Sequence, residues 1–262
     1  MYKRLFDKYA TNMVSVVRSN SGGYLIPKVE TFKKPDKLIE FFEKEACPFC
    51  RKVRETMSML DIDALVKPCP RGGERFRKEL IERGGKEMVP YLVDPNTNTV
   101  MYESEDIIRY LFNQYGEGEG NIPFPLNSGK YNTFNSRVAT TLRIFPLYQG
   151  FIHEVSRHVE IPLVLYNYEA NPECRRVREA LSTFEIPYHM INVAPVKNVM
   201  SLIPILGVSE NAVGLIKSPK RIKVEQEIPG FQVPYLKDPN NSKEFKGADD
   251  IIQHIEDVYH FK

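Results

Sequence analysis

The sequence lacks the features that mark membrane, nucleic-acid-binding and disulfide-framework proteins. Its apolar runs fall short of the roughly 18 residues that a membrane-spanning helix needs, which predicts no transmembrane segment. Its 36 basic and 34 acidic residues leave a net charge of only +2, so the bulk charge does not favour nucleic acid as a partner. Four cysteines in 262 residues do not suggest the cross-linked framework of a small secreted protein. We therefore expect the cytoplasm or another reducing compartment, with an organelle stroma as an alternative.

What is present is the composition of an ordinary globular chain, 42% hydrophobic and 27% charged, long enough for about two domains. The beginning of the chain predicts a weakly amphipathic helix. Two interpretations of it stay open: an ordered N-terminal helix or arm, and a transit peptide. Its apolar side carries Leu5, Tyr9, Met13 and Val16.

A Cys-x-x-Cys pair, Cys47 and Cys50, follows an apolar run that predicts a strand over 38–42 and opens a helical pattern over 50–60. Cys47 is therefore expected at a helix N-terminus, where unpaired N–H groups and the helix dipole favour a thiolate. Such a thiolate attacks a disulfide, and Cys50, one turn further in, resolves the product. The same spacing begins many zinc sites, but zinc needs four ligands and this motif supplies two, so no metal site is predicted.

Around this pair the pattern predicts an α/β unit with the element order βαβαββα, which is that of a thioredoxin fold. The elements that follow the first helix are a strand near 65–67, a helix over 74–83, strands over 88–93 and 100–102, and a helix over 105–115. We predict four segments: an N-terminal arm (1–36), a first domain (37–116), a linker with a helical segment that Pro146 interrupts (117–161), and a second domain (162–262).

The second domain repeats the sequence of the first. The residues that recur 124 positions later are Glu45, Ala46, Pro48, Cys50, Arg51, Val53, Arg54 and Glu55. The stretch that begins with Val89-Pro90 recurs 144 positions later, at Val233-Pro234. The chain is therefore predicted to be an internal duplication, with about twenty extra residues in the second copy. We place this apolar insertion near 196–217, as extra core or a contact between the copies, with a self-association or membrane-surface patch as the alternative.

The second copy lacks the chemistry of the first. Asn171 stands at the position of Cys47, and Gly247-Ala248 stands at the position of Glu103-Ser104. Cys174 keeps the resolving position without a partner and is expected to be a small buried thiol. The second copy is therefore predicted to be architectural: a packing partner, a dimerisation surface or a wall of the first copy's cleft.

These motifs resemble the glutaredoxin-like N-terminal domain of glutathione transferases. They resemble more closely the proteins that carry two such domains in tandem and lack the all-helical transferase domain. The resemblance covers roughly 37–115 and 162–259. The stretches that carry it are Glu45 to Glu55, Gly84 to Pro90 and Met101 to Ile107.

The resemblance implies that glutathione is a cosubstrate. The residues it assigns to glutathione are Lys44, Phe49, Val89, Pro90, Glu103 and Ser104. It implies a cis peptide bond before Pro90, with a trans strand-edge proline as the alternative. Ser104 is expected to cap a helix that begins at Glu105 and to place free N–H groups near the γ-glutamyl carboxylate. For Lys44 a solvated surface position stays open, and for Ser104 a role as a cap alone.

We therefore predict a glutathione-dependent thiol-disulfide oxidoreductase, with Cys47 as nucleophile and Cys50 as resolving thiol, that acts on disulfides or glutathionylated proteins. One alternative is a glutathione-binding, transferase-like or scaffold protein with little redox turnover. Another is an iron–sulfur cluster held by Cys47 and glutathione between two chains. No nucleic acid is expected as a partner, and a homodimer stays open.

Overall fold

The computed structural model describes residues 2–147, 150–196 and 217–261. The predicted insertion near 196–217 lies almost wholly outside the described residues. Among the described residues no helix combines the length and the apolar character that crossing a membrane requires.

The chain is a mixed α/β protein, and the elements that the structure describes in its N-terminal and C-terminal parts follow one another in the same order. The elements of the N-terminal part are α1 (Tyr2–Val17), β1 (Ile39–Glu43), α2 (Pro48–Met59), β2 (Ala64–Pro68), α3 (Arg77–Gly84), β3 (Tyr91–Asp94), β4 (Thr99–Met101) and α4 (Ser104–Tyr115). Those described in the C-terminal part are α5 (Lys130–Leu147), β5 (Leu163–Asn167), α6 (Pro172–Thr183), β6 (Tyr188–Asn192), α7 (Pro219–Glu227), β7 (Tyr235–Asp238), β8 (Lys243–Lys246) and α8 (Ala248–Tyr259). From β1 to α4 the order is the predicted one.

Within the described ranges the strands form one eight-stranded sheet in the order β4-β3-β1-β2-β6-β5-β7-β8. β1 and β2 are parallel, as are β5 and β6, whereas β2 and β6 pair antiparallel at the centre of the sheet. Leu65 lies opposite His189 at the middle of that central pairing. The edge strand of one part is thus covered by the edge strand of the other, which leaves no open edge there.

Helices α2 and α6 each bury an apolar side against the sheet. Val53 and Met57 of α2 and Val177 and Leu181 of α6 are fully buried in one apolar cluster. The cluster includes Phe41 of β1 and extends through both parts of the chain. One continuous core therefore holds the sheet and both helices together.

Among the differences from the sequence prediction, three concern the start of α3, the start of β3 and the place of Pro146. Helix α3 begins at Arg77 because the N–H groups of Glu74 and Arg75 donate to the Glu185 carboxylate instead of opening the helix. Strand β3 begins after Pro90, which has no N–H to give to a ladder. Helix α5 ends one residue beyond Pro146, so this proline lies in its last turn and does not interrupt it.

Helix α1 packs through its polar side. Among its described side chains, the exposed apolar ones are Tyr9, Met13 and Val16. On the buried side, Thr11 donates to the carbonyl of Pro172 at 3.2 Å and Ser15 to that of Ala170 at 2.7 Å. The N-terminal helix therefore belongs structurally with α6, more than a hundred residues away in the sequence.

Helix α5 has the matching position on α2. Ser136 donates to the carbonyl of Pro48 at 2.7 Å, as Thr11 does to that of Pro172. Arg18, which follows α1, forms a buried ion pair with Glu55, and Arg143 of α5 forms one with Glu179. The segment predicted as an arm and the segment predicted as a linker thus supply equivalent helices to the two parts.

A buried cluster of charges joins the two parts. Arg54 Nε lies 2.9 Å from Glu169 Oε2, and Arg178 Nε lies 3.0 Å from Glu45 Oε2. Each arginine also contacts the glutamate of its own part, at 3.1 Å between Arg54 and Glu45 and at 2.8 Å between Arg178 and Glu169. The four side chains are at most 2% exposed. Each arginine thus pairs with one glutamate from each part. This arrangement is symmetric about the same point as the antiparallel pairing of β2 with β6, in which Leu65 lies opposite His189.

Buried ion pairs are costly to break because the remaining charge stays desolvated. We predict that Arg178→Leu lowers the free energy of unfolding by about 3–5 kcal/mol, because Glu45 and Glu169 lose a shared partner. The exposed pair between Arg109 and Asp106 supplies the control, and Arg109→Leu should cost at most about 1 kcal/mol. Denaturation by urea measures both. Equal losses in the two variants would contradict this account of the cluster.

Candidate active site

Cys47 lies at the N-cap of α2, where the sequence pattern placed it. Its Sγ accepts a hydrogen bond from the N–H of Cys50 at 3.4 Å, and Pro48 occupies the first helical turn. Cys47 is 7% exposed and Cys50 is fully buried, and both are free thiols. A reagent from solvent therefore reaches Cys47 first.

The two thiols have opposite pKa shifts. A hydrogen bond from the Cys50 thiol is the main cause that lowers the pKa of Cys47 to about 6, helped by the N–H groups of Cys50 and Phe49 and by the charge of Lys44. Burial raises the pKa of Cys50 well above its ordinary value. At neutral pH the arrangement is therefore a thiolate at Cys47 beside a protonated thiol at Cys50.

Val89 and Pro90 come directly before β3, the strand that pairs with β1. Strand β3 is antiparallel to β1 with Tyr91 opposite Phe42, so Pro90 lies next to the end of β1, which leads into Cys47. The Val89–Pro90 bond is cis, as the resemblance implied. Val89 is half-buried against the core cluster that contains both cysteines.

Glu103 and Ser104 lie at the start of α4, which packs on α2. The expected capping is wrong in detail: the helix begins at Ser104, and Glu103 is the N-cap residue because its φ of 65° is outside the helical range. Within the described structure the Glu103 side chain makes no capping hydrogen bond to the first turn of α4. Ser104 is buried. The first N–H groups of α4 have no acceptor within the helix itself, and such donors can bind an anion.

Glu103 has a backbone conformation that suits glycine. The matching residue in the C-terminal part is Gly247, with a φ of 84°. A left-handed conformation costs a residue with a Cβ roughly 1–2 kcal/mol. A glutamate kept where glycine is easier suggests that its side chain has a use.

Lys44 and Phe49 flank the cysteine pair. Lys44 Nζ lies 4.6 Å from the ring centroid of Phe151, and its charge acts on Cys47. The half-buried Phe49 ring lies between two cations, with Lys52 Nζ at 5.3 Å and Arg137 Cζ at 5.5 Å from its centroid. Of these cations, Lys44 is the one whose charge acts on the Cys47 thiol.

A cavity of about 450 Å³ lies between α4 and α5, next to these cations. Its lining residues are Glu105, Arg109, Gly129, Lys130, Thr133, Phe134 and Arg137. Lys52 donates to both Glu105 and Thr133, at 2.5 and 3.2 Å. Sequence reasoning missed this wall because the helical segment that became α5 was assigned to a linker and not to the site.

Glu43 is a second residue that sequence reasoning missed. It ends β1, is fully buried, and pairs with Arg54. Burial is the largest cause that raises its pKa to about 8, against the opposing charge of Arg54. The only sign of this residue in the sequence was its position, because it is a charged residue directly after the apolar run predicted as a strand.

The C-terminal part keeps the shape of this site without its thiolate. Asn171 is the N-cap of α6, and its side chain accepts from the N–H of Cys174 at 2.9 Å, as Cys47 does from Cys50. The Val233–Pro234 bond is also cis. The cavity here, about 340 Å³, is lined by Glu173, Gln232, Val233, Pro234, Gly247, Ala248, Asp249 and Asp250. Its lining carries three carboxylates and no cation.

Among the described residues no group of three or more histidine, cysteine, aspartate and glutamate side chains is arranged to hold a metal ion. Cys69 is buried, and desolvation raises the pKa of its thiol.

Comparisons with known proteins find a family match for part of the chain. Residues 41–119 match the model of a family described as Glutathione S-transferase, N-terminal domain. The match spans the cysteine pair, Val89-Pro90 and Glu103-Ser104. A comparison with curated proteins finds no match. Among solved structures, a trimeric glutathione transferase from Leishmania aligns over 86% of this chain and 68% of its own, at 13% identity and a TM-score of 0.29. That likeness is too weak to carry a conclusion.

The arrangement of thiols makes a direct prediction. Alkylation of Cys47 by iodoacetamide should follow a pKa of about 6 and fall below that pH as the thiolate is protonated. Cys50→Ala removes the hydrogen bond that contributes most, so the pKa of Cys47 should rise. Cys69→Ala, a buried thiol elsewhere, is the control and should leave it unchanged. A wild-type pKa near about 8.5, the value of a free thiol, would contradict the assignment.

Proposed function

We propose that the chain is a glutathione-dependent thiol-disulfide oxidoreductase whose chemistry resides in its N-terminal part. The observation that carries this proposal is the pairing of a partly accessible thiol of lowered pKa, Cys47, with a buried protonated thiol, Cys50. A thiolate is the attacking species in disulfide exchange, and the second thiol is placed to resolve the product.

The reaction begins when Cys47 attacks the glutathione sulfur of a glutathionylated protein. A bond forms between the two sulfurs, the original disulfide breaks, and the protein thiolate leaves with the electron pair and takes up a proton. The new mixed disulfide is released in one of two ways. Either Cys50 attacks Cys47 and expels glutathione, or a second glutathione attacks and leaves as glutathione disulfide.

Glutathione is proposed to bind across the start of α4 and the Val89-Pro90 segment. The first N–H groups of α4, which have no acceptor within the helix, suit a carboxylate, and the Glu103 carboxylate suits an ammonium group. Lys44 and Phe49 flank the thiolate from the other side, Lys44 with a positive charge for the second carboxylate. The family match over 41–119 supports this assignment.

The C-terminal part is proposed to be a degenerate tandem copy, a second thioredoxin-like unit without catalysis. Its support is the repeated order of elements, the symmetric exchange between Arg54–Glu169 and Arg178–Glu45, and Asn171 in the position of Cys47. We propose domain limits of 37–116 and 162–262 for the two units, with α1 and α5 as equivalent flanking helices. We also propose that the protein works in a reducing compartment, where the two thiols of the pair stay free. We further propose that it forms a homodimer.

A second candidate function is conjugation of glutathione to an electrophile. The cavity between α4 and α5 favours it, because this cavity lies beside Phe49 and combines an apolar ring with three cations. The test is an aromatic electrophile that bears an anionic group. If the chain conjugates glutathione to it and does not turn over disulfides, the second proposal replaces the first.

The redox proposal predicts how the two cysteines differ. Reduction of a glutathione mixed disulfide should fall to the uncatalysed rate in Cys47→Ser, because the attacking thiolate is gone. Activity in Cys50→Ser should persist at least in part, because a second glutathione can release the product. The assay couples glutathione disulfide formation to its reductase. Full activity of Cys47→Ser would end the proposal.

The strained position of Glu103 gives a matched pair of variants. We predict that Glu103→Gly weakens glutathione binding about tenfold, the effect of losing one charged hydrogen bond, and changes the free energy of unfolding by less than about 1 kcal/mol. Glu117 also has a positive φ, 58°, but lies beyond the end of α4. Glu117→Gly should therefore keep full affinity. Calorimetric titration measures the binding, and equal affinities in the two variants would remove Glu103 from the site.

A further inference from the structure

Helices α1 and α5 form an outer layer on the structure. α1 packs on α6, α5 packs on α2, and the two outer helices pack on each other. They run antiparallel. Near the end of α1, the carbonyl of Val17 accepts from Asn135 of α5 at 2.7 Å. Nearer its start, Asp7 pairs with Arg143, which lies further along α5. The sides of α1 and α5 that point away from α2 and α6 therefore belong to one surface.

This surface carries large apolar side chains. Tyr9 on α1, 67% exposed, and Phe134 on α5, 66% exposed, are the two most exposed large apolar side chains among the described residues. The other exposed ones are Met13 and Val16 on α1, Tyr131 and Leu142 on α5, and Phe124, whose ring stacks on that of Tyr131. Their spacing puts them on one side of each helix. We call these side chains, together with Lys130 and Arg137, the α1–α5 face.

The charge on this face has one sign. Asp7 is the one acidic residue in the sequences of α1 and α5, and it is buried in ion pairs with Arg143 and Arg176. Lys130 and Arg137 are exposed, and neither forms an ion pair with a described residue. The α1–α5 face is thus apolar and cationic, in a chain whose net charge is only +2.

Helix α1 has the reverse of the usual orientation. An amphipathic helix of a globular protein normally turns its apolar side to the core. Here Thr11 and Ser15 make the contacts with α6, and the side with Tyr9 and Met13 points to solvent. A contiguous apolar patch that is kept in water marks a contact with another surface.

Charge and shape distinguish the candidates for that contact. Peptides bind mainly in grooves or at sheet edges, whereas these side chains project from the outer sides of two helices. A second copy docked through the same face would bring Lys130 and Arg137 of each chain toward those of the other, because a two-fold contact uses the same patch on both copies. An anionic bilayer offers acyl chains for the apolar side chains and phosphates for the cations.

We propose that the α1–α5 face binds the surface of an anionic phospholipid membrane. The two helices lie parallel to the bilayer, as interfacial helices do. Tyr9 and Phe134 enter the boundary between headgroups and acyl chains, and Lys130 and Arg137 contact lipid phosphates. This inference goes beyond the proposed redox function and does not depend on it. The homodimer proposed above then uses another surface.

Flotation of the full chain with vesicles tests the binding. We expect the chain to float with phosphatidylcholine vesicles that contain phosphatidylserine. It should stay free with phosphatidylcholine alone, and also at high salt, because salt screens the attraction between exposed charges. Lys130→Gln and Arg137→Gln should each lower the affinity for the anionic vesicles about fivefold, the effect of one cation near an anionic surface.

Helix α3 supplies the matched control. Its Leu80 packs with Phe42 of β1, whereas the core under α2 contains Phe41. Consecutive strand residues point to opposite sides of a sheet, so α3 lies on the side away from the α1–α5 face. Lys78 of α3 is also exposed. Lys78→Gln should therefore leave vesicle binding unchanged.

Fluorescence reports the contact itself, because the chain contains no tryptophan. Tyr9→Trp and Phe134→Trp each introduce a single indole. Its emission should shift to shorter wavelength with anionic vesicles and be quenched by brominated lipid, because the ring enters the interface. Val100, exposed on the edge strand β4, lies opposite Val93, which packs with Leu80 of α3. Val100→Trp should show neither effect.

The possible results separate the candidates. The proposal is overturned if the full chain binds neither kind of vesicle, if it binds both alike, or if Val100→Trp is quenched as strongly as Tyr9→Trp. It is also overturned if vesicles stay unbound while a glutamate-rich peptide binds and Arg137→Gln weakens that binding. A dimer that Tyr9→Ser combined with Phe134→Ser dissociates, without vesicle binding, would assign the face to a second copy.

Two further results keep the test decisive. Cys47→Ser should bind vesicles like the unaltered chain, so a failure of the redox proposal leaves this one standing. If a variant does not fold, as judged by circular dichroism, flotation of the unaltered chain decides alone. Equal flotation with and without phosphatidylserine then overturns the proposal.

Discussion

The structure depends on the exchange of ion-pair partners between α2 and α6. Arg54 and Arg178 each lie between Glu45 and Glu169, and all four are removed from water. Such a cluster costs desolvation whenever it forms, and only complete pairing offsets that cost. Because each arginine needs a glutamate from the other part, neither part can satisfy its charges alone. The cluster therefore acts less as a source of stability than as a specification of how the two parts meet.

The same cluster is continuous with the candidate site. Arg54 holds Glu43 with one nitrogen and Glu169 with another, so a residue of the C-terminal part acts on the surroundings of Cys50 through a single guanidinium group. Helix α5 adds direct contacts, with Ser136 bonded to Pro48 and Arg137 over Phe49. The environment of the thiolate is thus formed by segments that the sequence spreads over more than a hundred residues.

What could be predicted from the sequence follows the range of the interactions. The position of Cys47 at a helix start, the order of elements from β1 to α4 and the absence of a nucleophile at Asn171 depend on patterns within a few residues. The packing of α1 and α5 depends on polar contacts over long sequence distances, such as Thr11 to Pro172, which no local periodicity records. The start of α4 at Ser104 was missed by one residue, because the positive φ of Glu103 has no signal in a non-glycine residue. That Oε1 of Glu43 has no hydrogen-bond partner among the described residues is decided by packing, which no local pattern in the sequence records.

The antiparallel pairing of β2 with β6 around Leu65 and His189 has the geometry by which two identical subunits join edge to edge. Between identical subunits, every residue near the axis must serve both sides at once, so a change suited to one side is imposed on the other. A single chain that supplies both sides is free of this restriction. Here Tyr188 stands on one side of the axis where Ala64 stands on the other, and Asn167 stands where Glu43 does. Covalent connection thus permits one half to specialise in reactivity while its counterpart is selected for the fit.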